Sequence, residues 1–255
     1  MSFDPSIPNV ARMYDYYLGG KDNFPADRAA AEKVLEIVPQ VPFMVRENRA
    51  FLGRAVRFLR EQGITQFLDI GTGLPTQENV HQLAGEEAKV VYVDNDPQVL
   101  AHARALLQDS PHVRIIDGDL REPERLLADA GEHLDLSRPV AVLMVAIVHF
   151  VQDDPTPIMA TITSALAPGS FMALSHACKD IRPEIAPGVE RVYQEASAPF
   201  TARGSAEIIA LFDGLELVEP GMVNLPEWRP EDPDHVPFRD SPPYFLCGVA
   251  RKPAR

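Results

Sequence analysis

The residues best placed to do chemistry are a glycine turn and a set of acids, each following a short apolar run. The first run ends in Leu68-Asp69-Ile70-Gly71-Thr72-Gly73, the second in Val91-Tyr92-Val93-Asp94-Asn95-Asp96-Pro97, and the third in Ile116-Asp117-Gly118-Asp119-Leu120. Glycines at such a turn let backbone N–H groups approach a ligand closely, and a helix starting near Pro75 or Thr76 would stand behind them. Asp94 lies 21 residues after Gly73, the spacing at which a carboxylate accepts from both hydroxyls of a ribose. Asp96 is placed to cap a helix beginning at Pro97. Asp119, at the end of its run, can accept from the exocyclic amine of a purine. One G-x-G turn is weak evidence, but three successive runs delivering such groups to one sheet edge is a stronger signal, because ligands bind at that edge in open α/β sheets.

The elements that must position these groups alternate. Seven short apolar runs, at 66–70, 89–93, 113–116, 140–146, 171–175, 215–218 and 244–250, read as strands. Helical periods lie between them at 77–83, 97–107, 123–130, 157–166 and 206–212. Strands alternating with helices imply right-handed crossovers and a parallel sheet covered on both faces. The last two runs have no helix between them, which suggests an antiparallel pair at the sheet edge. The expected fold is therefore Rossmann-like α/β: a seven-stranded, mostly parallel sheet with an antiparallel last strand and an N-terminal helical extension. In that extension helical periods occur at 26–38, ended by Pro39 and Pro42, and at 46–60, ended by Gly63. The Tyr- and Gly-rich stretch 9–24 fits neither period, and 220–243, dense in Pro and acids, reads as a long surface loop. The division expected is residues 1–63 as a helical segment and lid, and 64–255 as the ligand-binding domain.

Composition narrows the partners. The formal net charge is −13, from 24 basic and 37 acidic residues, which disfavours nucleic acid, whose binders carry a basic face. The longest apolar run, 140–148, is far short of the roughly 20 residues that span a bilayer, and the N-terminus lacks a signal-peptide pattern. A cytoplasmic protein with no membrane partner is expected. Cys178 and Cys247 lie in apolar runs and read as buried thiols. No trio of metal ligands surrounds His149 in the sequence, and oligomeric state is not readable.

The chain resembles the class I methyltransferases that use S-adenosylmethionine, through Asp69-Ile-Gly-Thr-Gly73, Asp94 and Gly118-Asp119-Leu120. More narrowly, Val10-Ala-Arg-Met-Tyr-Asp-Tyr-Tyr-Leu-Gly-Gly-Lys-Asp-Asn23, the Asp69–Thr76 motif and Leu215-Glu-Leu-Val-Glu-Pro-Gly221 are similar to a bacterial family once filed as a domain of unknown function. The resemblance implies S-adenosylmethionine as cofactor. It implies cofactor contacts from Asp69, Gly71, Thr72 and Gly73 around the methionine part, Asp94 and Asn95 at the ribose, Asp119 and Leu120 at the adenine, and Ala146 beside the methionine. Pro75 stands where many such enzymes carry a third glycine.

The segment after the fourth strand, Ile147-Val148-His149-Phe150, would border cofactor and substrate, and His149 can act as general base or sit packed. Tyr17 and Lys21 are the candidate lid contacts. Arg46 and Arg49 can meet a carboxylate or line a solvated helix face. His176 can face substrate or be packed, residues 178–201 can cap the pocket, and Trp228 can line its mouth or pin the loop. The leading reading is methyl transfer to a small-molecule acceptor. Two rivals stand beside it. An NAD-dependent oxidoreductase would want glycine at position 76, where the residue is Thr76. A non-catalytic protein that binds S-adenosylmethionine or S-adenosylhomocysteine would use the same cofactor residues.

Overall fold

The computed structural model describes residues 4–75, 79–107, 110–232, 234 and 244–254. The chain opens with three helices, α1 (Val10–Tyr17), α2 (Pro25–Ile37) and α3 (Val41–Glu61). The alternating part follows: β1 (Gln66–Ile70), α4 (Val80–Ala84), β2 (Lys89–Asp94), α5 (Pro97–Leu107), β3 (Val113–Asp117), α6 (Pro123–Gly131), β4 (Ala141–Val145), α7 (Thr156–Ala165) and β5 (Phe171–Ala177). The last part holds α8 (Ala186–Tyr193), α9 (Ser205–Ala210), the two-residue strands β6 (Glu216–Leu217) and β7 (Val223–Asn224), and β8 (Phe245–Arg251).

The strands form one sheet in the order β3-β2-β1-β4-β5-β8-β6, with β7 also pairing β8. Strands β1 to β5 are parallel and β8 runs antiparallel to β5, with Ser175 opposite Cys247. The expected fold class is observed. Its outer edge is shared by two short strands, of which the second, β7, lies in the stretch read as loop. β1, β4 and β5 are near-continuous apolar runs because helices bury both of their faces. Phe67, Val90, Leu143 and Ala173 face α3, while Leu68, Val91, Met144 and Leu174 face α6 and α7. The order reverses between β1 and β4, which opens a crevice at the carboxyl ends of these strands.

Four differences from the sequence-based expectation have physical causes. α3 starts at Val41 with Pro42 in its first turn, where the missing proline N–H would be unpaired anyway. Its Phe51, Val56 and Leu59 pack on the sheet. α1 is a helix despite its composition: Asn9 caps it by accepting from Arg12 N, and Met13 and Tyr17, one turn apart, are buried. α8 also escaped the periodicity. The helix expected at 77–83 is observed from Val80; Thr76, Gln77 and Glu78 lie outside the described residues.

The stretch from Pro220 is a surface loop only in part, and 233 and 235–243 lie outside the described residues. Leu225 and Trp228 are fully buried. Trp228 meets Phe51 and Phe58 edge-on, with centroids 5.4 and 5.8 Å apart. Arg54 donates to the Trp228 and Leu225 carbonyls at 2.8 and 2.7 Å. Trp228 therefore pins the segment to α3. Cys178 and Cys247 are buried free thiols. Among the described residues no helix is long and apolar enough to cross a membrane.

Candidate functional site

β1 delivers Asp69 and the glycine turn to the crevice. Gly71 and Gly73 have φ of +73° and +65°, a region that L side chains adopt at a cost. A Cβ on Gly71 would also lie 2.4 Å from the Ile147 side chain, so only glycine fits. The Gly71 and Thr72 amides donate to the Val93 carbonyl at 2.8 and 3.2 Å, fixing the turn on β2. Thr72 Oγ1 donates to Asp69 Oδ2 at 2.8 Å. Burial lifts the Asp69 pKa to about 6, against the lowering influence of the Thr72 bond and the Arg49 charge.

The ends of β2 and β3 supply the other acids. Asp94 accepts from Gly73 N at 2.9 Å and Asp96 N at 3.0 Å. A carboxylate offers about four lone-pair positions, so Asp94 retains capacity for two hydroxyl donors. Burial raises its pKa, with these backbone bonds acting the other way. Asp96 caps α5 as expected, accepting from Gln98 N and Val99 N at 2.8 and 3.1 Å. Asn95 Nδ2 donates to Asp119 Oδ2 at 3.1 Å. The Arg121 guanidinium grips Asp119 through both oxygens, and that hydrogen bonding holds its pKa down to about 2. These carboxylates, glycine amides and the Arg49 charge offer acceptors for ribose and amine protons and complementary charges for an amino-acid zwitterion. The donor set suits S-adenosylmethionine.

β4 ends in a strained residue. Ala146 has φ +60°, uncommon without glycine and frequent at functional sites. It is held there by a buried polar chain. Ala146 N donates to Ser175 Oγ at 2.9 Å, Ser175 Oγ donates to Asn48 Oδ1 at 2.6 Å, and Asn48 Nδ2 donates to the Tyr14 hydroxyl at 3.0 Å. The chain joins β4, β5, α3 and α1. Composition gave no signal for Asn48 or Ser175, since one sits in a helical period and the other in a strand.

Beyond Ala146 the surroundings become aromatic. His149 is buried, with Phe150, Phe200 and Phe245 at centroid distances of 4.5, 4.9 and 5.6 Å. Burial, followed by the His176 and Arg203 charges, lowers its pKa well below the usual imidazole value. Burial therefore favours the neutral form of the His149 imidazole. Its Nδ1 has no hydrogen-bond partner among the described residues. The fully buried His176 is packed: its Nδ1 donates to the Ala177 carbonyl at 2.8 Å and its Nε2 accepts from Arg203 at 3.1 Å. Arg203 also donates to the Val148, Val151 and Asp153 carbonyls, which fixes the segment carrying His149.

The N-terminal helices close over both parts. Asn9 Nδ2 donates to Asp96 Oδ2 at 2.6 Å and to Ser197 Oγ at 3.2 Å. Asn9 N and the Arg12 guanidinium bind the two oxygens of buried Asp27 at 2.8 and 2.7 Å. Sequence reasoning missed this latch, for which the one clue was an arginine on the apolar face of α1. Every cofactor candidate except Lys21, together with His149, lines one cavity of about 800 Å³. Lys21 is exposed and lies apart from that lining. Arg49 lines the cavity beside Asp69, while Arg46 is exposed. Residues 178–201 do contribute, through Val189, Tyr193 and Phe200.

The family model for S-adenosyl methyltransferases matches residues 1–253. The chain belongs to that family. It is an S-adenosylmethionine-dependent methyltransferase, and S-adenosylmethionine is its cofactor. Two solved structures resemble it along nearly its whole length. A DUF574 family protein from Streptomyces avermitilis is 40% identical, covering 98% of this chain and 99% of that one with a TM-score of 0.91. A protein from Thermobifida fusca, named as a candidate methyltransferase, is 40% identical, covering 98% and 96% with a TM-score of 0.89. The ribosomal RNA small subunit methyltransferase H of Halorhodospira halophila is 29% identical over 104 residues, 40% of this chain. The methyltransferase spans about a third (32%) of the length of that curated relative.

Proposed function

We propose that the methyltransferase acts on a small molecule held in the aromatic part of the cavity, next to the cofactor edge. The observation that carries this is continuity. One cavity runs from Asp94 and Asp119, past Ala146, to His149, Phe200 and Tyr244. Its volume, about 800 Å³, is in the upper part of the roughly 300–1,000 Å³ of ligand pockets, which suits two molecules side by side.

The roles follow from the geometry. Asp94 would accept from the ribose hydroxyls, and Asp119 with Leu120 would hold the adenine. Gly71, Thr72 and Gly73 would present backbone to the amino-acid end, with Asp69 and Arg49 complementing its two charges. The cofactor supplies a methyl group already activated on a sulfonium. When bound, it would give that methyl group to an acceptor held in line with the sulfonium and be left as S-adenosylhomocysteine. Alignment, not proton abstraction, is then the protein's main contribution. The orphaned Nδ1 would let neutral His149 hydrogen-bond the acceptor instead of storing its proton. Tyr17, on the closing helix, would contact the acceptor side.

The net charge of −13 favours this over a nucleic-acid acceptor. Two free buried thiols accord with a cytoplasmic location. Cell extract separated into small-molecule, protein and nucleic-acid fractions, each incubated with enzyme and S-adenosylmethionine, tests the reading. S-adenosylhomocysteine should form with the small-molecule fraction. Turnover confined to a macromolecular fraction would overturn it, and no turnover in any fraction would favour a protein that binds the cofactor without catalysis.

A further inference from the structure

The part of the cavity beyond Ala146 differs in chemistry from the cofactor edge, and that difference constrains the acceptor. Its wall is a set of rings. Tyr193 stacks on Phe200 at 5.3 Å with planes 27° apart, and Phe150 meets the two at 5.9 and 6.1 Å. His149 adds its imidazole to Phe200 at 4.9 Å. Around the rings the lining is aliphatic, from Val34 of α2, Val38 just after it, and Val41, Met44 and Val45 of α3.

Charge is sparse there: Glu190 and Glu184 act on Tyr244, and Glu32 on Tyr17, from outside the lining, while the charged lining residues belong to the cofactor edge or the N-terminal segment. Arg49 and the carboxylates of Asp69, Asp94 and Asp119 lie at the cofactor edge. Asp15 of α1 also lines the cavity, but its carboxylate accepts from Asp22 N and Asn23 Nδ2 in the turn after that helix. Arg203 stands behind His176 and is committed to three carbonyls. An ionised ligand group in the ring-walled part would lose its hydration without gaining a counter-ion, which is costly.

Three side chains that line the cavity carry a buried polar atom with no hydrogen-bond partner among the described residues: Tyr17 Oη, His149 Nδ1 and Tyr244 Oη. All three residues are more than nine-tenths buried, at 5%, 3% and 4% exposure. The Tyr17 hydroxyl comes near Tyr193 without reaching hydrogen-bond geometry. Buried polar groups in native proteins are almost always paired, so these three atoms, covered by neighbouring side chains in the unliganded protein, are groups that a small side-chain rearrangement on ligand binding would bring to a partner. Rings favour a flat partner, since offset-stacked and edge-to-face contacts add to area burial.

We propose that the methyl acceptor is an uncharged, planar aromatic or heteroaromatic molecule with polar atoms on its edge, seated among His149, Phe150, Tyr193, Phe200 and Tyr244. This rests on the methyltransferase reading above and names the substrate class for that site. The neutral state of His149, enforced by its burial, is consistent with it.

The test measures binding of three naphthalene probes to wild-type protein saturated with S-adenosylhomocysteine: 2-naphthol, 2-naphthoate and 2-naphthylmethylammonium. The neutral probe should bind at least about tenfold tighter than either ion, given the cost of burying an unpaired charge. Phe200→Ala and Phe200→Leu should each weaken 2-naphthol by about tenfold through loss of the ring contact, with S-adenosylhomocysteine affinity within about twofold of wild type. Equal or tighter binding of an ion, or no binding of any probe, would overturn the substrate class while leaving the cofactor assignment intact. Failure of S-adenosylhomocysteine itself to bind would instead overturn the functional reading beneath it. The probe series uses the unaltered protein, so it decides the matter even if the Phe200 variants fold poorly.

Discussion

The two parts of the cavity are built in opposite ways. At the cofactor edge, short contiguous motifs at three strand ends supply nearly every polar group, and these are already paired: Asp94 with backbone amides at 2.9 and 3.0 Å, Asp69 with the Thr72 hydroxyl, and Asp119 with Asn95 and Arg121. The ring-walled part is assembled from separated segments: α1, the turn after β4, α8 with residues 197–200, and Tyr244 ahead of β8. Its polar atoms are left unpaired. The contrast teaches that the edge is preorganised around a fixed ligand, whereas the other part is completed by whatever binds there. Perturbing the edge should therefore cost cofactor affinity, and perturbing the linkage between the parts should cost the second ligand more.

The largest effect is expected from Gly71→Val. The new Cβ would overlap Ile147 at 2.4 Å in a backbone with φ +73°. Strain and overpacking of roughly 1–3 kcal/mol each should lower S-adenosylhomocysteine affinity by about 100-fold in calorimetry, with circular dichroism little changed. Full affinity would mean that the turn is structural. Asp94→Ala comes next, with a loss of roughly 1.5–3 kcal/mol, the range for a hydrogen bond to a charged group. An unchanged dissociation constant would remove the ribose assignment.

A pH profile sharpens the comparison. The Asp69 pKa is raised from 3.8 to about 6 by burial, so below that value the folded protein carries it protonated. A ligand ammonium group favours the ionised form. S-adenosylhomocysteine affinity should therefore rise with pH, by up to about tenfold per unit, and level off above about pH 6. Asp69→Asn should flatten the profile. For the unliganded protein the sign is reversed: an acid with a raised folded pKa contributes stability below 3.8 that is lost as pH rises through about 6. A rise in affinity that survives in Asp69→Asn would point to Asp94, whose pKa burial also raises.

Asn48→Leu breaks the chain Tyr14–Asn48–Ser175–Ala146 while keeping volume. It leaves the Ser175 hydroxyl without its acceptor and should destabilise by about 1–3 kcal/mol, the cost of an unmet buried hydrogen bond. Thermal denaturation measures this. Probe binding in the ring-walled part should weaken more than cofactor binding, because Tyr14 and Ala146 flank that part. Equal losses at both would mean that the chain supports the sheet as a whole.

The edge was legible because its information is local. A carboxylate, a glycine turn and a 21-residue spacing all follow from one strand and its neighbour, and the parallel sheet imposes apolar runs that periodicity detects. The ring-walled part was not legible, because Tyr17, His149, Phe200 and Tyr244 are up to 227 positions apart in sequence and meet only through packing. His149 was found as a candidate, but the burial that favours its neutral form depends on neighbours that no motif names. Asn9, Arg12 and Asp27 escaped for the same reason. A buried ion pair needs both partners, and the sequence shows a Tyr-rich stretch and an ordinary helix start.

The smallest effect separates two residues that the sequence treated alike. Tyr17 and Lys21 were paired as lid contacts, yet Tyr17 is on the buried face of α1 with Met13, whereas Lys21 follows the end of that helix and is exposed. A helix places residues three or four apart on one face, and the turn through Gly19, at φ +82°, takes Lys21 away from it. Lys21→Ala should change the affinity of S-adenosylhomocysteine and of 2-naphthol by less than about twofold, in keeping with the near-neutrality of most surface substitutions. Tyr17→Phe should weaken 2-naphthol and spare the cofactor. A tenfold loss of cofactor affinity in Lys21→Ala would show that the segment after α1 closes further onto the edge when ligand is bound, and the boundary between the two parts would then have to include it.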